Sequence, residues 1–146
     1  VCLLAFACGN KEESCKLDPE ILNQDLNVTV TRLEDEFFAA KSAEDVSFLL
    51  EKYPDFARVY FQSAENYSPD SLAANLLAVH QDSAMRELYD SVKVEYPDIS
   101  DIEKDLENAF KYITHHFPDF KAPKVYTFVS GLNSDLVVTE DVIVIG

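Results

Sequence analysis

Cys8 is the residue whose type and surroundings imply chemistry most directly. Before it, Val1-Cys2-Leu3-Leu4-Ala5-Phe6-Ala7 is uncharged and apolar and ends in a small residue. After it, Gly9-Asn10-Lys11-Glu12-Glu13-Ser14 turns abruptly polar. This is how a bacterial lipoprotein signal ends, at a cysteine that is acylated and becomes the first residue of the mature chain. Leu4 stands one place further from the cysteine than the usual pattern, and the alternative for residues 1–8 is an apolar strand of the fold. Cys15 is a poor acylation site because Glu12, Glu13 and Ser14 precede it. With Cys8 acylated and Cys2 removed, Cys15 alone remains and can close no intramolecular disulfide. Several acyl chains hold a protein durably where one holds it weakly, so this anchor is expected to last.

The other residues with potential chemistry are three histidines, His80, His115 and His116, and an abundance of carboxylates. A helical zinc site needs two histidines four apart so that both face the metal. His115 and His116 are adjacent, about 100° apart around a helix, and read instead as surface residues of a last helical turn, where a cation suits the dipole. No His-Glu-x-x-His occurs. Glycine stands only at 9, 131 and 146, which excludes a phosphate-cradling loop and a Gly-x-Ser-x-Gly elbow. Asp101 and Asp105 lie one helical turn apart and read as solvated surface. No catalytic, cofactor-binding or metal-ligating residue is expected in this chain.

The charge balance is acidic, 27 Asp+Glu against 12 Lys+Arg, for a net charge of −15. Nucleic-acid binding is therefore not expected, because it needs clustered Lys and Arg. The same charge opposes docking of the folded body on an anionic lipid surface and favours solubility. With 47% hydrophobic and 12% aromatic residues, the chain can build a core. Outside the first residues no segment approaches the roughly 18 apolar residues of a membrane span, which leaves lipid as the anchor.

These features need elements to carry them. Residues 1–7 read as part of a signal peptide, since the first residue is Val and the apolar run is shorter than a whole signal. Residues 8–24 read as the lipidated cysteine and a polar tether, and 25–146 as the folded part. Leu26-Asn27-Val28-Thr29-Val30-Thr31 alternates like a half-buried strand. Arg32 to Phe38 is expected to continue or leave that strand, with Phe37 and Phe38 capping the core. Ser42-Ala43-Glu44-Asp45 opens a helix with Val46, Leu49, Leu50 and Tyr53 inward, stopped by Pro54. A short helix over 56–64 and a loop through Pro69 follow. Asp70 or Ser71 then caps a helix carrying Leu72, Leu76 and Val79. Another helix starts near Asp82 or Ser83 with Met85, Leu88, Tyr89 and Val92 inward, and stops at Pro97.

Ser100-Asp101-Ile102-Glu103 has the form of a capping box. Behind it Ile102, Leu106, Phe110, Ile113 and Phe117 recur at helical steps, up to Pro118. Strands are expected at 124–130, 136–139 and 142–145, with a turn at 131–134. Tyr53-Pro54-Asp55-Phe56, Tyr96-Pro97-Asp98-Ile99 and Phe117-Pro118-Asp119-Phe120 share one pattern and read as helix stops. The order predicts an α+β fold, helices followed by a β-sheet, as an incomplete domain truncated at the C-terminus and completed beyond Gly146.

Those helix stops, with Cys8 and its polar tether, resemble the GldB family, the gliding-motility lipoproteins of gliding Bacteroidetes. Further points of similarity are the 28–38 segment ending in Glu34-Asp35-Glu36-Phe37-Phe38, and Asn108-Ala109-Phe110-Lys111-Tyr112 with His116-Phe117-Pro118. These lead into Pro123-Lys124-Val125-Tyr126-Thr127-Phe128-Val129-Ser130-Gly131. The resemblance implies a longer protein of which this is the N-terminal portion, a fold distantly similar to zinc metallopeptidases without catalysis, and a part in gliding and associated secretion. It supplies no catalytic residue. Lys11-Glu12-Glu13 is similar to the acidic signal that exports some lipoproteins to the cell surface, and a charged tether is the common alternative. The expected partners are the membrane, through the lipid anchor, and other motility or secretion proteins of the envelope. The expected location is the cell envelope, with membrane and face left open. The competing reading is a membrane-tethered metallopeptidase-like hydrolase with its active site beyond Gly146.

Overall fold

A computed structural model describes residues 18–61, 68–131 and 136–146. Within them lie seven helices and a four-stranded sheet, and the fold is α+β. The strands are β1 (Val30–Arg32), β2 (Lys124–Thr127), β3 (Leu136–Val138) and β4 (Val142–Ile145), in the order β1-β2-β4-β3. β1 runs parallel to β2 and β2 parallel to β4, while β3 returns antiparallel along β4. The helices are α1 (Pro19–Leu22), α2 (Leu33–Ala39), α3 (Ala43–Lys52), α4 (Pro54–Tyr60), α5 (Pro69–Gln81), α6 (Ser83–Glu95) and α7 (Ser100–His116). All but α1 lie on the connection from β1 to β2, as a parallel pair requires a long crossover.

Both faces of the sheet are covered. On one, Tyr126, Phe128, Val142 and Val144 pack with Leu33, Phe37, Val46, Leu49, Phe56, Val59 and Ala73 of α2 to α5. On the other, Val28, Val30 and Val125 pack with Phe110 of α7, joined by Leu106, Ile113, Ile143 and Ile145. Burial on both faces explains why Val142-Ile143-Val144-Ile145 is apolar without alternation. The first core is aromatic. Phe37 meets Phe128 edge to face at 5.3 Å, and Phe56 lies 5.2 Å from Phe128. Such pairs add about 0.5–1.5 kcal/mol each beyond the area they bury.

Several local expectations change. Of the two courses open to Arg32–Phe38 the chain takes the second: Arg32 ends β1 and α2 begins at Leu33. Leu33 with Phe37 and Glu34 with Phe38 form two i, i+4 pairs on one buried face. Glu34, Asp35 and Glu36 sit in the first turn, where the helix dipole favours acids. Phe37 and Phe38 do enter the core as expected. Within the segment read as tether, Pro19–Leu22 make one helical turn that buries Ile21. Lys111 holds that turn to α7, with its Nζ 3.2 Å from the Leu22 carbonyl and 2.6 Å from Glu107 Oε1.

The capping boxes trade places. Ser42 and Asp45 form a complete box at α3. Ser100-Asp101-Ile102-Glu103 does not, because α7 starts at Ser100 itself with Ile99 as its N-cap. Glu103 is therefore one residue too deep to reach back, and its Oε1 accepts from the Val30 N–H of β1 at 2.8 Å. Ser68 rather than Asp70 or Ser71 caps α5. Ala73 and His80 are its buried residues, whereas Val79 is exposed. α6 buries no residue fully, and Leu88 is exposed.

The three aromatic-proline stops share one geometry. Tyr53, Tyr96 and Phe117 have φ of −119°, −121° and −130° with ψ of 63°, 62° and 84°. Each donates its N–H to the carbonyl four residues back, at 3.0, 2.8 and 2.7 Å. The proline then denies the next turn. Only Tyr53 also completes an apolar stripe; Phe117 is 67% exposed. Pro54 does more than stop α3, since it is the first residue of α4. Four residues beyond β2, Gly131 adopts φ +64°, and a Cβ there would lie 2.7 Å from Met85 Sδ of α6.

Candidate functional site: a cleft at the strand ends

Period-two alternation puts Arg32, Thr127 and Ile145 in one row across the sheet, on the α7 face and at the last residues of three parallel strands. The crevice outside the carboxyl ends of such strands is where open sheets of this kind bind ligands. Here it is a cleft of about 270 Å³. Its walls are the end of α6 (Val92), Tyr96, and the start of α7 (Ile99, Ile102), with Phe128, Val129 and Gly146 at the rim of the sheet. The lining is almost wholly apolar.

One polar cluster breaks that lining. Glu34 opens α2 directly after β1 and is 1% exposed. Its Oε1 accepts from Arg32 Nε at 2.8 Å and its Oε2 from Thr127 Oγ1 at 2.7 Å. Arg32 Nη1 donates to the Tyr96 carbonyl at 2.7 Å, tying the aromatic-proline stop after α6 to the sheet. The carboxylate is thus paired and hydrogen-bonded, as a buried charge must be. Arg32 has five N–H donors, and no protein acceptor among the described residues engages Nη2. Neither Arg32 nor Glu34 carries a sequence signal, because the cluster depends on Thr127, far along the chain.

A second buried group lies across the sheet. His80 of α5 is 2% exposed, with its ring 4.7 Å from Phe38, 5.6 Å from Phe37 and 5.6 Å from Phe128. Among the described residues its Nδ1 has no hydrogen-bond partner. Burial first, then the Arg86 charge, push its pKa down to about 4, and the Leu76 carbonyl one turn earlier pulls weakly the other way. The neutral ring is the form the core holds. Nearby, Tyr89 stacks on Phe38 at 4.4 Å and donates to Asp35 Oδ1. Burial and then the Asp35 carboxylate raise the Tyr89 hydroxyl to about 12. Burial alone would raise Asp35, but the bonds from Lys93 and Tyr89 outweigh it and hold the carboxyl below its usual range.

The residues singled out in the sequence fall elsewhere. Cys8, Cys15, Lys11, Glu12 and Glu13 lie outside the described residues, as do 62–67 and most of the 131–134 turn. His115 and His116 end α7, exposed, with their rings 5.0 Å apart and perpendicular. Asp101 and Asp105 are exposed on α7. Among the described residues no three His, Cys, Asp or Glu side chains are grouped to hold a metal ion. No helix among them is long and apolar enough to cross a membrane.

No curated protein and no solved structure matches the chain. A sequence model of the gliding motility protein GldB matches residues 14–146, nearly the whole chain and all of the described fold, and the chain belongs to that family.

Proposed function

We propose that this protein is a membrane-anchored lipoprotein component of the gliding motility machinery and of the protein secretion associated with it, acting through protein–protein contacts in the cell envelope rather than by catalysis. Membership of the GldB family carries the reading. The chemistry around Cys8 supplies the anchor: an apolar run and a small residue before it, charge after it. The acidic body suits a protein that stands off an anionic lipid surface on its tether and meets other proteins.

Two measurements test the two halves. Deleting the gene should abolish spreading of cells on agar, and normal spreading by a clean deletion refutes the motility role. Cys8→Ala should move the protein from the membrane fraction to the soluble fraction. If the variant stays with the membrane, Cys8 is not the anchor.

A further inference from the structure

We propose that α6 is a strap, hinged at Asp82 and at Tyr96-Pro97 and latched by Asp35, that detaches as one unit while the rest of the fold stays intact. This goes beyond the protein-contact role and does not depend on it. Every other described helix buries at least one residue, and α6 buries none. No α6 side chain belongs to either hydrophobic core. A helix so placed loses few buried apolar contacts on opening, which is the mark of a locally unfolding segment. At 13 residues it is also marginal as an isolated helix in water, so release and melting are one event.

What holds α6 converges on α2. Asp35 accepts from the Tyr89 hydroxyl at 3.0 Å, and Lys93 Nζ lies 3.0 Å from each of its carboxylate oxygens. One carboxylate thus takes two ties from the helix, and the exposed side chains of Lys93 and Asp35 leave their ion pair open to salt. The remaining ties are the stack of Tyr89 on Phe38 and a long bond of 3.5 Å from Arg86 Nη2 to the Phe38 carbonyl. Both ends are already bent out of the helix. Asp82 alone separates α5 from α6, with extended backbone at φ −62° and ψ 139°. Tyr96 leaves the helix at ψ 62° before a proline that bars its continuation, and Arg32 holds its carbonyl to the sheet. Opening bares Phe38 and draws Val92 out of the cleft.

The test is hydrogen exchange of the full chain, resolved by residue. Amides of residues 87–95 should share one protection factor, at least about a hundredfold below that of the α7 amides around Phe110, and little changed by low urea. Lys93→Gln/Tyr89→Phe, which leaves α2 intact, should lower α6 protection at least about fivefold and leave α7 unchanged. Salt at about 0.5 M should act on α6 in the same direction. If the double variant fails to fold, the wild-type pattern and the salt series decide. Protection of α6 equal to that of α7 overturns the proposal. So does protection graded from the helix ends inward, which is fraying, or equal loosening of α6 and α7 by the double variant.

Discussion

His80 should make this fold acid-labile in a window set by one ring. In the unfolded chain its imidazole takes up a proton near 6.5, while in the aromatic core that value falls to about 4. A histidine whose folded pKa is depressed favours the folded state most when neutral. Its contribution is intact above about pH 6.5 and is lost progressively as the pH falls toward 4. At roughly 1.36 kcal/mol per unit, the drop costs about 3 kcal/mol in full, of which about 2 kcal/mol is lost by about pH 5. Asp35, Glu36, Asp45, Asp55, Asp98 and Glu107 are all held below their usual range. They lose their contribution at still lower pH and leave this window to His80. For a domain of this size about 2 kcal/mol corresponds to roughly 8 °C in Tm.

The assay is thermal unfolding followed by circular dichroism at about pH 7.5 and about pH 5, for the wild type and for His80→Leu, which keeps volume and removes titration. The wild type should lose most of that Tm difference and His80→Leu very little of it. An equal loss in both proteins would show that the ring in its cage of Phe37, Phe38 and Phe128 is not the acid-sensitive group.

Removing Arg32 (Arg32→Met) should strand Glu34 and cost about 3 kcal/mol in urea unfolding, as breaking a buried pair does. The double variant Arg32→Met/Glu34→Leu should be more stable than Arg32→Met alone; additive losses would show that the two side chains are not coupled. Ser42→Ala should cost about 1 kcal/mol by loss of the N-cap, and Ser100→Ala less than about 0.5 kcal/mol. The reverse order would place the working cap at α7 instead of α3.

Where the sequence was easily read, one physical signal dominated. The run Val142-Ile143-Val144-Ile145 could hardly be exposed, and the apolar recurrence through Phe110 and Ile113 could only be a helix with one face inward. α2 hid behind the alternation of the strand before it. Its helical face also includes Glu34, which a reading of polar against apolar residues sends to solvent. The buried face of α5 was misjudged for a related reason, since His80 takes the core position and Val79 does not. Ser-x-x-Glu is the same string whether a helix starts after the serine or at it, and one residue of difference released Glu103 for another contact. The cleft was not legible at all, because its row of Arg32, Thr127 and Ile145 exists only once strands distant in the chain lie side by side.

The contact from Glu103 to Val30 bears on how the fold assembles. β1 is three residues long, and its partner strand comes only after the whole helical crossover, so closing that loop is entropically slow. The Glu103 carboxylate, on the first turns of α7, gives the Val30 N–H of β1 an acceptor at 2.8 Å. Slip by one residue would turn the valines outward and also leave this bond unmade. α7 therefore acts as a jig for the sheet, and the same carboxylate occupies the edge where a stray strand from another molecule would otherwise add.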